Sequence, residues 1–332
     1  MGLTKMKISS ALLPLRTAAL TLVLILAPIP SAAWGPEGHL ITNEVAAAHI
    51  PADMPKFFRE AGVRLGYLAS EPDRWRDKRD AQLKGAQEPE HFIDLERVDW
   101  MAEFPPNRWL FVHALYDKRA TAANPDELLP ERVGLLPYEG VEVYQRLREA
   151  FRQYRQLASE HKPTEAVEQD AVFYAGWLGH YVGDGAQPLH TTIHYDGWVG
   201  PNPNGYAVHI ETPPGAPYTP GLHWKFESGF VAANLKNEDV APLMQPVKRL
   251  SDVFPDYMKF LRGSHGLVEK LYQLDKAKAF DGAGTPEGKR FVAERLAAGT
   301  QMLVNMWYTA WLESAEVAPK PEATPQPKGE KK

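Results

Sequence analysis

Residues 174–190 are YAGWLGHYVGDGAQPLH. This stretch closes a helical segment expected over about 164–182, with Pro188 as its stop. Inside it His180 and Asp184 stand four apart, so on a helix their side chains share one face. That face can hold one metal ion between an imidazole and a carboxylate. His190, just past the proline, is close enough to reach a neighbouring ion.

Outward from this stretch the signal stays helical. Val141, Tyr144, Leu147 and Phe151 recur at helical spacing and predict a helix over 138–159. Further helices are expected over 38–50, after a Gly-Pro pair, and near 223–236, 246–262 and 287–314. Trp177, Trp307, Tyr308 and Trp311 are spaced as core residues. β-branched alternation is scarce and no internal repeat is seen. The reading is an all-α fold, a single multi-helix domain over 34–316. Residues 317–332 (VAPKPEATPQPKGEKK) form a Pro- and Lys-rich tail expected to be disordered. Residues 196–220 form a long loop inside the domain; loops of that length are usually functional or disordered.

The amino terminus reads as an export signal. Lys5 and Lys7 precede an apolar run over 18–28, and Ser31-Ala32-Ala33 meets the small-x-small cleavage rule. The run is too short to span a bilayer, which needs roughly 20 apolar residues. Cleavage between Ala33 and Trp34 predicts a secreted or periplasmic protein. Removing residues 1–33, with three basic residues and no acid, leaves 34 basic against 42 acidic residues, a net charge of −8. Such a chain has no general attraction for nucleic acid or anionic membranes. Positive charge for handling a phosphate must come from a few Arg or Lys side chains or from bound metal. There is no Cys, so any metal site uses His, Asp, Glu or backbone atoms.

A second pair repeats the four-residue spacing, His223 and Glu227 in GLHWKFE. Asp73 in LASEPDRWR and His91 in EHFIDLE are further candidates. One His/Asp pair on a helix usually serves only local stability. Two such pairs, with more His and Asp in apolar surroundings, favour metal, because ionisable groups are seldom buried unless paired or metal-bound. Nitrogen and oxygen ligands without sulfur fit Zn²⁺ in a hydrolytic site; Mn²⁺ and Fe²⁺ accept them too. His49, His113, His161 and His265 stand alone and read as structural or exposed. His194 and His209 are also taken as non-ligands.

The motifs WGPEGH (34–39), PDRWR (72–76), HFID (91–94), HYVGDGAQPLH (180–190) and HWKFE (223–227) together resemble the zinc-dependent S1/P1 nuclease and bacterial phospholipase C superfamily. The resemblance implies a trinuclear zinc cleft in an all-α domain. Carried over, Asp73, His91, His180 and Asp184 match the ligands of the first zinc. His190, His223 and Glu227 match those of the second, and Trp34 and His39 those of the third, with Asp184 bridging first and third. Trp34 would bind through its α-amino nitrogen and its carbonyl oxygen, so cleavage of the signal would complete the site. The rival reading of Trp34 is a packed aromatic. Asp73 would also orient the attacking water. Arg76 matches a phosphate-contacting Arg, with a surface ion pair as its rival reading. Phe92 and Asp94 match residues that stack on a base and accept from its edge; core packing is the rival for Phe92.

Two branches share this metal chemistry. WGPEGH, the LAS-x-PD-x-x-R pattern and GD-x-x-QPLH look nuclease-like. Glu227, where fungal and plant nucleases usually carry Asp, and Glu37, which resembles a residue facing a choline headgroup, look phospholipase-like. The absence of Cys and of Asn-x-Ser/Thr sites points to a bacterial chain. The expectation is an exported, monomeric phosphodiesterase with three Zn²⁺ ions and no obligate protein partner. It cleaves single-stranded DNA and RNA at the 3′ O–P bond to leave 5′-phosphates, with 3′-nucleotidase action alongside. A phospholipase C acting on phospholipid headgroups and a non-catalytic exported metal-binding protein are the alternatives.

Overall fold

The computed structural model describes residues 34–209 and 221–316. The expected export signal, the Pro/Lys-rich tail and residues 210–220 of the long loop lie outside the described residues. Among the described residues there is no strand, and the fold is all-α. The helices of seven residues or more are α1 (Gly35–Ala48), α2 (Gly62–Leu68), α3 (Ala81–Gln87), α4 (Arg108–Arg119), α5 (Leu136–Ser159), α6 (Glu165–Ala186), α7 (Val253–His265), α8 (Val268–Lys276) and α9 (Pro286–Glu313).

Local chemistry sets the ends of α5. Pro137 lies in its first turn, where no N–H is needed. At the far end His161 is left-handed, φ 53°. Its N–H reaches the Ala158 carbonyl (3.1 Å) and that of Lys162 reaches Leu157 (2.9 Å), a Schellman-type stop. His161 therefore has a backbone role. Tyr144, Leu147 and Phe151 are buried, as the spacing predicts. Phe151 and Trp307 both pack edge-on against Phe58, at 5.2 and 5.5 Å between ring centroids. Trp307 is fully buried and donates to the Ala175 carbonyl (3.2 Å), while Trp177, Tyr308 and Trp311 pack half-buried at the edge of this core.

Helix α6 lies between α1, α2, α5 and α9. It admits α1 closely because Gly179 faces Asn43. A Cβ at Gly179 would fall on the Asn43 amide, which donates to the carbonyls of Leu65 (2.9 Å) and Gly176 (3.1 Å). Gly179→Ala gains about 1 kcal/mol of helix propensity. Against this stand roughly 1–3 kcal/mol of overpacking and 1–3 kcal/mol for a displaced buried amide. We expect a net loss of about 2 kcal/mol in urea unfolding; an unchanged midpoint would show that α1 can yield.

Two expected helices differ at their edges. The one read over 246–262 begins only at Val253 and runs to His265. The residues before it take up another partner: N–H groups of Gln245, Lys248 and Leu250 donate to Gln301, Asn305 and Thr309, three side chains spaced four apart along α9 (2.8, 3.0 and 2.9 Å). With their donors satisfied by a distant helix, these residues need no helix of their own. The segment expected near 223–236 is composite: α-helical over Leu222–Trp224, π-helical over Lys225–Phe230 and α-helical again over Val231–Asn234.

Candidate metal centre

Helix α1 supplies His39, α6 supplies His180 and Asp184, and the composite segment supplies His223 and Glu227. Short turns supply Asp73 (Glu71–Arg74), His91 (Glu88–His91) and His190 (Pro188–Thr191). They meet in three groups: His39, His180 and Asp184; Asp73, His91 and His180; His190, His223 and Glu227. Within each group the possible ligating atoms lie within 4.8 Å of one another.

The main chain aims these side chains. The Ile93 N–H donates to the His190 carbonyl (2.9 Å), and His190 Nδ1 in turn lies 2.6 Å from the His91 carbonyl, so the two turns hold each other. His180 Nδ1 lies 2.8 Å from the Ala69 carbonyl. Donation from Nδ1 leaves Nε2 of His180 and of His190 as the free lone pair directed into the groups. Gly183 lets His39 come close, since a Cβ there would sit 3.0 Å from His39 Nδ1. Asp184 is the hub: its carboxylate lies 3.1 Å from His91 Nδ1, 3.4 Å from His39 Nε2 and 3.5 Å from His180 Nε2. In the other group Glu227 Oε2 lies 2.7 Å from His223 Nε2 and 3.5 Å from His190 Nε2.

Burial dominates the electrostatics. It drives His39, His91 and His180 below an imidazole's ordinary value, the last to about 3. Neutral imidazoles offer a lone pair, the form a metal takes. Burial raises Asp184, and the nearby Asp73 and Glu227 add to the rise. Burial also opposes ionisation of Glu227, but His223 and His190 hold its carboxyl down to about 2.

The donor set fits divalent cations by an independent observation. Both ring nitrogens of His39, Asp73 Oδ2, His91 Nε2, Asp184 Oδ1 and Glu227 Oε1 are buried without a hydrogen-bond partner. Folded proteins seldom tolerate such a concentration of unsatisfied buried polar atoms. Imidazole nitrogens also face each other closely, His91 Nδ1 and His180 Nε2 at 3.0 Å, His190 Nε2 and His223 Nε2 at 3.1 Å. Cations among these groups would separate the facing nitrogens and give the unpartnered carboxylate oxygens a partner.

The remaining expected residues fall as follows. Trp34 is fully buried and left-handed (φ 39°); its indole donates to the Gly183 carbonyl (2.6 Å) and its ring packs on Phe226. Its main-chain nitrogen lies 3.1 Å from Glu227 Oε2, beside the second group, and its carbonyl already accepts from the Gly38 N–H (3.0 Å). Arg76 donates to Asp73 Oδ1 (3.2 Å). Asp94 is buried and bound by Arg97 (2.8 Å). Phe92 is half-buried, and Glu37 is exposed, two residues from the buried His39 and on another face of α1. The histidines read as non-ligands are engaged elsewhere where a partner is seen. His49 meets the Val45 carbonyl, His265 the Thr191 carbonyl, His194 stacks on Trp198, and His209 meets Asp196.

Two supporting residues were not among the expected site residues, although Gln187 lies within GD-x-x-QPLH. Gln187, extended as a residue before proline must be, accepts from the Leu189 N–H (2.6 Å) and donates to Glu227 (3.1 Å). Asp196, in the long loop, accepts from the His223 N–H (2.8 Å).

No family model matches the sequence, and no curated protein matches it. Among solved structures the chain is similar to Clostridium perfringens alpha-toxin from avian strain SWCP, at 14% identity and a TM-score of 0.34, over 88% of this chain and 67% of that one.

Proposed function

We propose that the mature chain is an exported zinc-dependent phosphodiesterase of the S1/P1 nuclease type, acting on single-stranded DNA and RNA. The observation that carries this reading is the convergence of eight His, Asp and Glu side chains into three adjoining sulfur-free groups with unsatisfied donor atoms. Imidazole–carboxylate triads suit Zn²⁺ with an open position for water or substrate. Bound zinc supplies a water whose pKa falls to about 7 and charge to offset a phosphate. The motifs WGPEGH, LASEPDRWR and GDGAQPLH favour the nuclease branch.

The chain's own residues do the rest. Arg76 holds Asp73 by Oδ1, which leaves Oδ2, buried and unpartnered, to orient the attacking water and take its proton. Arg76 Nε is likewise unpartnered, and a guanidinium fork suits a phosphate oxygen. Phe92 offers a ring on which any base stacks, consistent with weak sequence preference. Asp94 can accept from a base edge only by sharing its carboxylate with Arg97. Cleavage before Trp34 turns an amide nitrogen, already against Glu227, into an amine able to ligate. The phospholipase reading draws on Glu227 and on Glu37, an acid exposed on α1.

The test uses exported protein whose amino-terminal sequencing reads Trp34. We expect single-stranded DNA to be cut to 5′-phosphate ends in a zinc-dependent way, and Arg76→Ala to slow this by roughly 10²-fold. Release of headgroups from phosphatidylcholine vesicles without nucleolysis would move the chain to the phospholipase branch. Retained metal with no cleavage of DNA, lipid or a bis-aryl phosphate would make it a binding protein.

A further inference from the structure

We infer that Asp196 is the positioning residue of the His190–His223–Glu227 group, so that the long loop holds one of the three groups together. The inference rests on the metal reading above. His223 sits in the first turn of the composite segment, where N–H groups have no intrahelical partner and the turn frays unless capped. The residue in the capping position is Gly221, which has no side chain to do this, and no side-chain cap is made there. Asp196 does it from 27 residues away, with Oδ1 accepting from the His223 N–H at 2.8 Å. Its other oxygen, Oδ2, lies 3.1 Å from His209 Nδ1, so the carboxylate ties the two ends of the described loop to the turn that carries the ligand.

The fit is close on both sides. The side chain of Asp196 is mostly buried, 15% exposed. A Cβ on Gly221 would land on its carboxylate, so the missing side chain at the capping position is the space Asp196 fills. Gly221 itself has an ordinary extended backbone, φ −78° and ψ −175°, that alanine adopts without strain. Glycine is therefore needed for the approach of Asp196 and not for the turn. Glu227 is held separately, by Gln187 and the Trp34 nitrogen (both 3.1 Å). Loss of Asp196 should free His223 alone and leave the group with two firm ligands of three.

The experiment titrates zinc-loaded mature protein, beginning at Trp34, with a chromophoric chelator and counts the ions released from wild type, Asp196→Ala, Gly221→Ala and Asp196→Asn. Helicity and thermal unfolding in excess zinc check that each variant is folded. In Asp196→Ala and Gly221→Ala one ion should leave at chelator strengths roughly 10–100-fold below those that strip the wild type, with the other ions released as before. Gly221→Ala keeps the charge of Asp196 and displaces only its position, so it separates positioning from electrostatics. Asp196→Asn keeps an acceptor oxygen for the His223 N–H and should hold zinc close to wild type. Release along the wild-type curve in both alanine variants overturns the inference. Equal weakening of every ion overturns it too, since that marks a general loss of structure. A wild type that retains no zinc overturns the metal reading first and this inference with it.

Discussion

Stripping divalent ions with EDTA is expected to abolish phosphodiester hydrolysis and to lower the melting temperature on the order of 10 °C. The first effect follows from the donor set, because no side chain in the centre can replace a cation beside a phosphate. The second follows from linkage. At a thousandfold excess over its dissociation constant, one bound ion stabilises the folded state by about 4 kcal/mol. For a chain of this size 1 kcal/mol is worth roughly 2–4 °C. Without cations, Asp73, Asp184 and Glu227 sit close together and burial raises the first two. Activity and melting should both return on adding zinc. A melting curve indifferent to EDTA would leave the histidine and carboxylate clusters as ordinary buried polar networks.

Asp184→Asn should damage turnover more than any other single substitution in the centre. Asp184 is fully buried and touches imidazoles from α1, α6 and the turn at His91. A carboxamide is a poor ligand in place of a charge that meets His39 and His180 of one group and His91 of the next, so zinc should be lost from both. Removing a single electrostatic stabiliser commonly costs 10²–10³ in rate, and a loss of at least about 10³-fold is expected here. The sign of the stability change separates a metal ligand from a structural acid. In zinc, Asp184→Asn should melt below wild type. In EDTA it should melt at or above wild type, because the substitution removes a buried carboxylate with no compensating cation. Destabilisation of equal size in both conditions would mark Asp184 as a structural residue only.

The parts of this centre that could be read from the chain are those whose geometry is local. His180 with Asp184 and His223 with Glu227 lie one helical turn apart, and a regular helix puts each pair on one face whatever surrounds it. The helices over Leu136–Ser159 and Pro286–Glu313 were legible for the same reason, since periodic apolar spacing needs no knowledge of the partner. Asp73 and His91 are different. Their approach to His180 depends on contacts such as the Ile93–His190 and Leu135–Pro89 main-chain hydrogen bonds, which no periodicity encodes. Their assignment came from the motif resemblance, not from spacing. The helix expected over 246–262 started late because residues 245–250 satisfy their donors on the polar stripe of α9, 56 or more residues away. Asp196 was invisible in the same way, since a capping rule inspects the adjacent residue and finds only Gly221.

The mutual hold of the turns at His91 and His190 has a thermodynamic consequence. The imidazole of one triad is steered by the main-chain oxygen of a ligand belonging to another, and that ligand's strand of chain is fixed by the first residue's own carbonyl. Ordering either turn therefore prepays part of the entropy of ordering the other. The two turns therefore order and fray as one unit.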